Sequence, residues 1–178
     1  MKYFRKMKGN TKSPPPVSFT EILWSWIGSF LGIAAVAFAN FHFLEGTDLT
    51  MIIGSFGASA VLIYGATRSP LAQPRNLIGG HMISAIIGVL VYKLLFNHMW
   101  LASSIAVATS IAAMHATKTL HPPGGATALI AVIGSQKIHQ LGYLYVIIPA
   151  CSGAVIMLAV ALLVNNIPKS RRYPEYWF

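Results

Sequence analysis

The residues most able to do chemistry stand together in His121-Pro122-Pro123-Gly124-Gly125-Ala126-Thr127-Ala128-Leu129, inside an apolar region. Two prolines interrupt the backbone there, and the fixed φ of Pro123 suits the first turn of a helix. Gly124 and Gly125 leave their backbone N–H groups uncovered by side chains. A helix running on to Gly134 covers about 16 Å at 1.5 Å per residue, roughly half of a bilayer core. The stretch therefore reads as a broken membrane segment whose helix begins near mid-membrane. The competing reading is a cytoplasmic turn before a short re-entrant helix. A helix N-terminus carries partial positive charge and N–H donors, so small residues there let an anion approach. His121 adds a hydrogen-bond donor or a proton carrier, since an intramembrane histidine is a functional candidate, or else a fixed ring that holds the Pro-Pro turn by a hydrogen bond.

A second stretch has the same character. Gly57-Ala58-Ser59-Ala60-Val61-Leu62-Ile63 matches Gly125-Ala126-Thr127-Ala128-Leu129-Ile130-Ala131 in residue type over most positions. Each lies in the middle one of three hydrophobic segments, and paired interrupted segments point to a binding site between the halves of a transporter. The expected anion site therefore comprises Ser55, Gly57, Ser59, His121, Gly124, Gly125 and Thr127. Its donors are the backbone N–H groups near Gly124 to Thr127, set opposite Ser55 to Ser59. Arg68, Arg75, His81 and His115 are candidates for a cytoplasmic vestibule, or ordinary orientation charges and packing residues.

Six apolar segments must position these groups, at about 22–43, 50–67, 77–96, 101–117, 121–134 and 143–164. Residues 1–20 form a basic cytoplasmic tail without the apolar core of a cleavable signal, 21–168 the membrane domain, and 169–178 a second cytoplasmic tail. The expected fold is an all-α integral membrane protein with two short, broken segments, compatible with a 3+3 inverted repeat. Gly80, Ser84 and Gly88 recur every fourth residue and make a small-residue packing face. With both termini cytoplasmic and six crossings, Lys2, Arg5, Lys6, Lys8, Lys12, Arg68, Arg75, Lys118, Lys169, Arg171 and Arg172 lie inside, leaving Lys93 and Lys137 outside. The positive-inside rule favours this arrangement. Glu45 and Asp48 fall in an external loop, and the aromatic end Tyr173 to Phe178 suits a membrane interface.

Composition agrees. The chain is 55% hydrophobic and only 10% charged, with mean hydropathy +0.62, against about 25% charged in soluble domains. Its net charge of +9 comes from residues flanking apolar spans, so no nucleic-acid partner is expected. The single Cys151 permits no internal disulfide. All four acidic residues lie outside the spans. That leaves no carboxylate pair for acid–base catalysis, no metal-ligand set and no cofactor motif. The chain is read as a non-enzyme.

The sequence resembles the HPP family of integral membrane proteins, named for the motif seen here as His121-Pro122-Pro123. The likeness extends to Gly54 to Leu62, to Ser69 to Asn76 with Gly79-Gly80-His81, and to Thr119 to Leu129, with Asn165-Asn166 and Tyr173-Pro174 at the end. It implies a small-anion transporter or channel, with nitrite the leading candidate, since members from photosynthetic organisms are associated with nitrite transport. The family is usually described with about four membrane helices. A bacterial inner membrane and a homo-oligomer that shields the small-residue faces are expected. The alternative function is a non-transporting membrane partner or sensor whose helix breaks are structural.

Overall fold

A computed structural model describes residues 2–9, 11–45, 49 and 51–178. Asp48 of the expected external loop and Thr50, the expected start of the second segment, lie outside the described residues. Among the described residues the fold is helical, with no strand. One turn, α1 (Lys2–Arg5), precedes α2 (Phe19–Phe43). The order continues through α3 (Ser55–Gly65), α4 (Pro74–Leu95), α5 (Met99–Ala116), α6 (Pro122–Ile133), the short α7 (Gln136–Leu141) and α8 (Val146–Val164). Four of these, α2, α4, α5 and α8, are long and apolar enough to cross a membrane, while α3 and α6 are shorter apolar helices.

Local chemistry sets these bounds. Ser18 and Glu21 form the start of a capping box, with the Ser18 hydroxyl accepting from Glu21 N–H at 3.2 Å, so α2 begins at Phe19. Pro74 opens α4 and Pro122 opens α6, positions at which the missing N–H costs nothing. The turn from α5 into α6 closes with Thr119 N–H on Met114 O at 2.9 Å and Lys118 N–H on His115 O at 3.2 Å. Lys118 itself takes the left-handed φ of 57° that such a C-terminal turn requires. The last span, expected as continuous over 143–164, is broken. Ile148 is extended and Pro149 follows with no N–H to give, so a regular ladder cannot pass through it.

Close approach of backbones builds the interior. Gly28 and Gly32 of α2 are buried against Tyr64, whose hydroxyl donates to Met157 O at 3.0 Å. Gly153 of α8 receives the Phe56 ring. The stripe Gly80, Ser84 and Gly88 is buried on α4 and faces α6; a Cβ added at Gly88 would lie 2.7 Å from Ala128 O. Small residues substitute here for the hydrophobic drive that lipid does not supply.

The C-terminal tail is not a free interfacial segment. Tyr173 is 2% exposed and donates to Ala72 O at 2.8 Å. Burial pushes its phenol up from the usual range, so it stays a donor. Glu175 N–H reaches Gln73 Oε1 at 2.9 Å, and Gln73 Nε2 donates to Thr67 O and Ser69 O. Arg171, expected as an orientation charge, is paired with Glu21 at 2.6 Å and donates to Ser25 Oγ at 2.8 Å. The tail therefore straps the 67–73 loop to the start of α2.

Candidate functional site

Both short helices follow an extended stretch, and an asparagine braces each. Asn40 Oδ1 accepts from Met51 N–H at 2.7 Å ahead of α3, and Asn76 Nδ2 donates to Leu120 O at 2.8 Å ahead of α6. The two helices then run side by side. Ser55 Oγ meets Thr127 Oγ1 at 2.9 Å, and Ser59 Oγ lies 2.9 Å from His121 Nε2. Positions rise along α3 as they fall along α6, so the pair is antiparallel.

His81 of α4 completes the cluster. Its Nε2 is 2.8 Å from Ser59 Oγ and its Nδ1 is 2.7 Å from Thr127 Oγ1. On the far side His121 Nδ1 donates to Leu71 O at 2.8 Å. Ser59, His81, His121 and Thr127 are all 0% exposed, and Ser55 is 1% exposed. The Phe56 ring stands edge-on to His81, and Tyr145 donates to Thr127 O at 3.0 Å. Buried polar groups need partners, and each of these five has at least one.

Ser55, Ser59, His121 and Thr127 thus come together as the sequence suggests, but the glycines play other parts. Pro122 and Pro123 carry no N–H, and Gly124 N–H is held by His121 O at 2.8 Å. The expected row of uncovered backbone donors is therefore absent from the first turn of α6, because the prolines that start the helix remove them. Gly57 is exposed, and a Cβ on it would meet nothing within 4 Å. Gly125 lines an apolar groove of about 530 Å³ with Val107, Ile111, Met114 and His115. His81, expected at a vestibule, is buried instead, since the small residues on its face of α4 let α6 approach it. His115 is exposed on the groove, and Arg75 donates to Thr117 O at 2.8 Å. Arg68 donates to Ser170 O at 3.1 Å and borders an open cavity of about 500 Å³ with Glu21, Thr67 and Ser69.

Sequence reasoning missed the link from His81 to Ser59 and Thr127, the Leu71 carbonyl and the bracing Asn76. One usable signal existed: Asn76, Gly80 and Ser84 lie at helical spacing beside His81, marking that side of α4 as the packed one. Among the described residues no group of three or more His, Cys, Asp or Glu could hold a metal ion.

The adjacent glycines offer a test of this geometry. A Cβ on Gly124 would lie 2.8 Å from Ser84 Oγ and 2.9 Å from Gly80 O, whereas one on Gly125 has only Val107 Cγ1 at 3.8 Å. Gly124→Ala should cost about 1–3 kcal/mol of stability, and Gly125→Ala no more than about 0.5 kcal/mol. Thermal unfolding in detergent measures both; equal losses would contradict the facing assigned to α6.

A family model described as HPP, transmembrane region, matches residues 14–174. A transmembrane protein of Dictyostelium discoideum is 44% identical over 181 residues, covering 100% of this chain and 58% of the relative. A second from the same organism is 44% identical over 183 residues, covering 100% of this chain and 64% of the relative. The chain thus spans roughly three fifths of the length of these relatives. No solved structure matches it.

Proposed function

The chain belongs to the HPP transmembrane family, and from that premise we propose that it is a transporter or channel for a small inorganic anion, with nitrite the first candidate. The observation that carries this reading is the pair of short helices. Each begins after an extended stretch, and they cross antiparallel with a buried Ser–His–Thr cluster between them. Irregular backbone at membrane depth is tolerated where it is buried in protein or lines a path, and paired interrupted segments mark transporter sites. With the α6 backbone donors already bonded, the anion's contacts pass to the hydroxyl and imidazole groups of Ser55, Ser59, His81, His121 and Thr127. Four of these are neutral donors near the starts of α3 and α6 and His81 joins them from within α4, so no buried Lys or Arg is required.

The same reading includes six crossings, with α3 and α6 as the middle members of two inverted three-segment units. The matched level of α3 and α6 supports it, as does the eleven-to-two split of Lys and Arg between the faces. Both termini are then cytoplasmic. The proposal places the chain in a cellular membrane, the bacterial inner membrane remaining the first candidate; the two relatives named above are from Dictyostelium discoideum. A homo-oligomer would cover the groove of Val107, Ile111 and Gly125.

In a Cys151→Ser background, Ser13→Cys and Ser170→Cys should both react with an impermeant thiol reagent only from the cytoplasmic side. Labelling of Ser170→Cys from outside alone would end the six-crossing proposal. Substrate class is tested by competition. Unlabelled nitrite, nitrate, formate and chloride are set against nitrite uptake in proteoliposomes, and nitrite should compete best. The second reading, a non-transporting membrane partner, draws on the mutual bonding of all five polar side chains. It expects no uptake of any of these anions.

A further inference from the structure

We propose that His81 and His121, bridged by Ser59, form a binding site for one proton that passes between the two rings. Leu71 O only accepts, so His121 carries a proton on Nδ1. With one proton on each ring, His121 Nε2 accepts from Ser59, the Ser59 hydroxyl accepts from His81 Nε2–H, and His81 Nδ1 accepts from Thr127. Every group is satisfied. Now add a proton at His81 Nδ1. The Thr127 hydroxyl must turn away, and two acceptors already stand within reach, Ser55 Oγ at 2.9 Å and Pro123 O at 3.2 Å. His81 Nδ1–H then donates to Thr127 Oγ1, and again every group is satisfied. The hydrogen-bond count therefore closes with the extra proton in place once one hydroxyl has rotated.

Transfer between the rings follows from the same contacts. His81 gives its Nε2 proton to Ser59 Oγ while the Ser59 hydroxyl gives its own to His121 Nε2. One N–H and one O–H bond break, one of each forms, and the charge moves to His121. The proton enters from the Ser55–Thr127 end and leaves from His121 Nδ1 when that N–H releases Leu71 O. The ring centroids are 5.1 Å apart, so two charged rings would repel and the site holds one proton, not two. The groups facing the pair are Ser59, Ser55 and Phe56 from α3, Thr127 from α6, the Leu71 carbonyl, and each ring itself. Among the described residues no Lys, Arg, Asp or Glu hydrogen-bonds to either ring; Arg75, on the helix of His81, is bonded to Thr117 O. A charged ring here lacks a fixed counter-ion, and a small anion would supply one. That last link, proton moving with anion, rests on the transport reading; the proton site does not.

The site is tested without any anion by imidazole ¹⁵N spectra of histidine-labelled full-length protein in lipid nanodiscs, titrated over about pH 4 to 8. The wild type should take up one proton over the two rings, with both sets of signals moving together. In folded Ser59→Ala protein the sharing should end, and one ring alone should move. Rings that both stay neutral throughout, or that each take a proton, would overturn the proposal. A pH-sensitive dye inside proteoliposomes tests the coupling. A nitrite gradient should acidify the lumen, and folded Ser59→Ala protein should slow this by about tenfold or more. A shared titration in protein that moves no nitrite would sink the transport reading and leave the proton site standing. Nitrite movement with silent rings would sink the proton site alone.

Discussion

Replacing His121 by alanine lowers the stability of the detergent-solubilised chain by about 3–5 kcal/mol, the largest effect expected of any single truncation in the cluster. The ring is fully buried and holds two partners, Leu71 O at 2.8 Å and Ser59 Oγ at 2.9 Å. Each partner left without its bond costs about 1–3 kcal/mol, and the vacated ring adds a cavity against α4. The same substitution at His115, exposed on the outer groove, should cost no more than about 0.5 kcal/mol. Thermal unfolding followed by tryptophan fluorescence compares the two. A His121→Ala protein that melts with the wild type would mean the ring does not hold the start of α6 to the 67–73 loop.

The second large effect is on transport. Ala58 of α3 and Ala126 of α6 line one shallow cavity of about 340 Å³ at the seam between the short helices. Cysteines at both positions, in a Cys151→Ser background, can be joined by a short reducible bifunctional reagent. Nitrite uptake should then fall to the level of protein-free liposomes and return when the link is cut. Transporters of paired repeats work by moving one unit against the other around a central site. The five polar side chains between α3 and α6 are bonded to one another, so a path there opens only if the helices part. Full uptake by completely cross-linked protein would show that this seam does not move.

What the sequence made legible was set by composition and punctuation. The four long helices follow from apolar length, and the start of α6 follows from Pro122 and Pro123. The meeting of Ser55 and Ser59 with His121 and Thr127 followed from treating the two short segments as partners. Facing was less legible. The place of His81 along α4 does not show that its ring is buried, because burial depends on how closely α6 packs on Gly80, Ser84 and Gly88. The likeness of Gly57 to Gly125 marks two helices that do pack together, but not the sides by which they meet. Those glycines lie on outer faces, and the polar residues on either side of them turn inward. The break at Pro149 lies among uniformly apolar residues, so hydropathy alone reads straight through it. The Arg171–Glu21 pair joins residues too far apart in sequence for any local pattern to connect.

The central claim is that a small anion crosses at the seam of α3 and α6. Its most direct test is nitrite uptake into proteoliposomes, counted per folded protein, for wild type and for a Ser55→Ala, Thr127→Val variant that removes two donors while keeping near-native volume. Saturable wild-type uptake well above protein-free liposomes, and a sharply weakened response in the folded variant, are expected. Folded wild-type protein that takes up no more nitrite than empty liposomes, or a variant that matches it, would contradict the account.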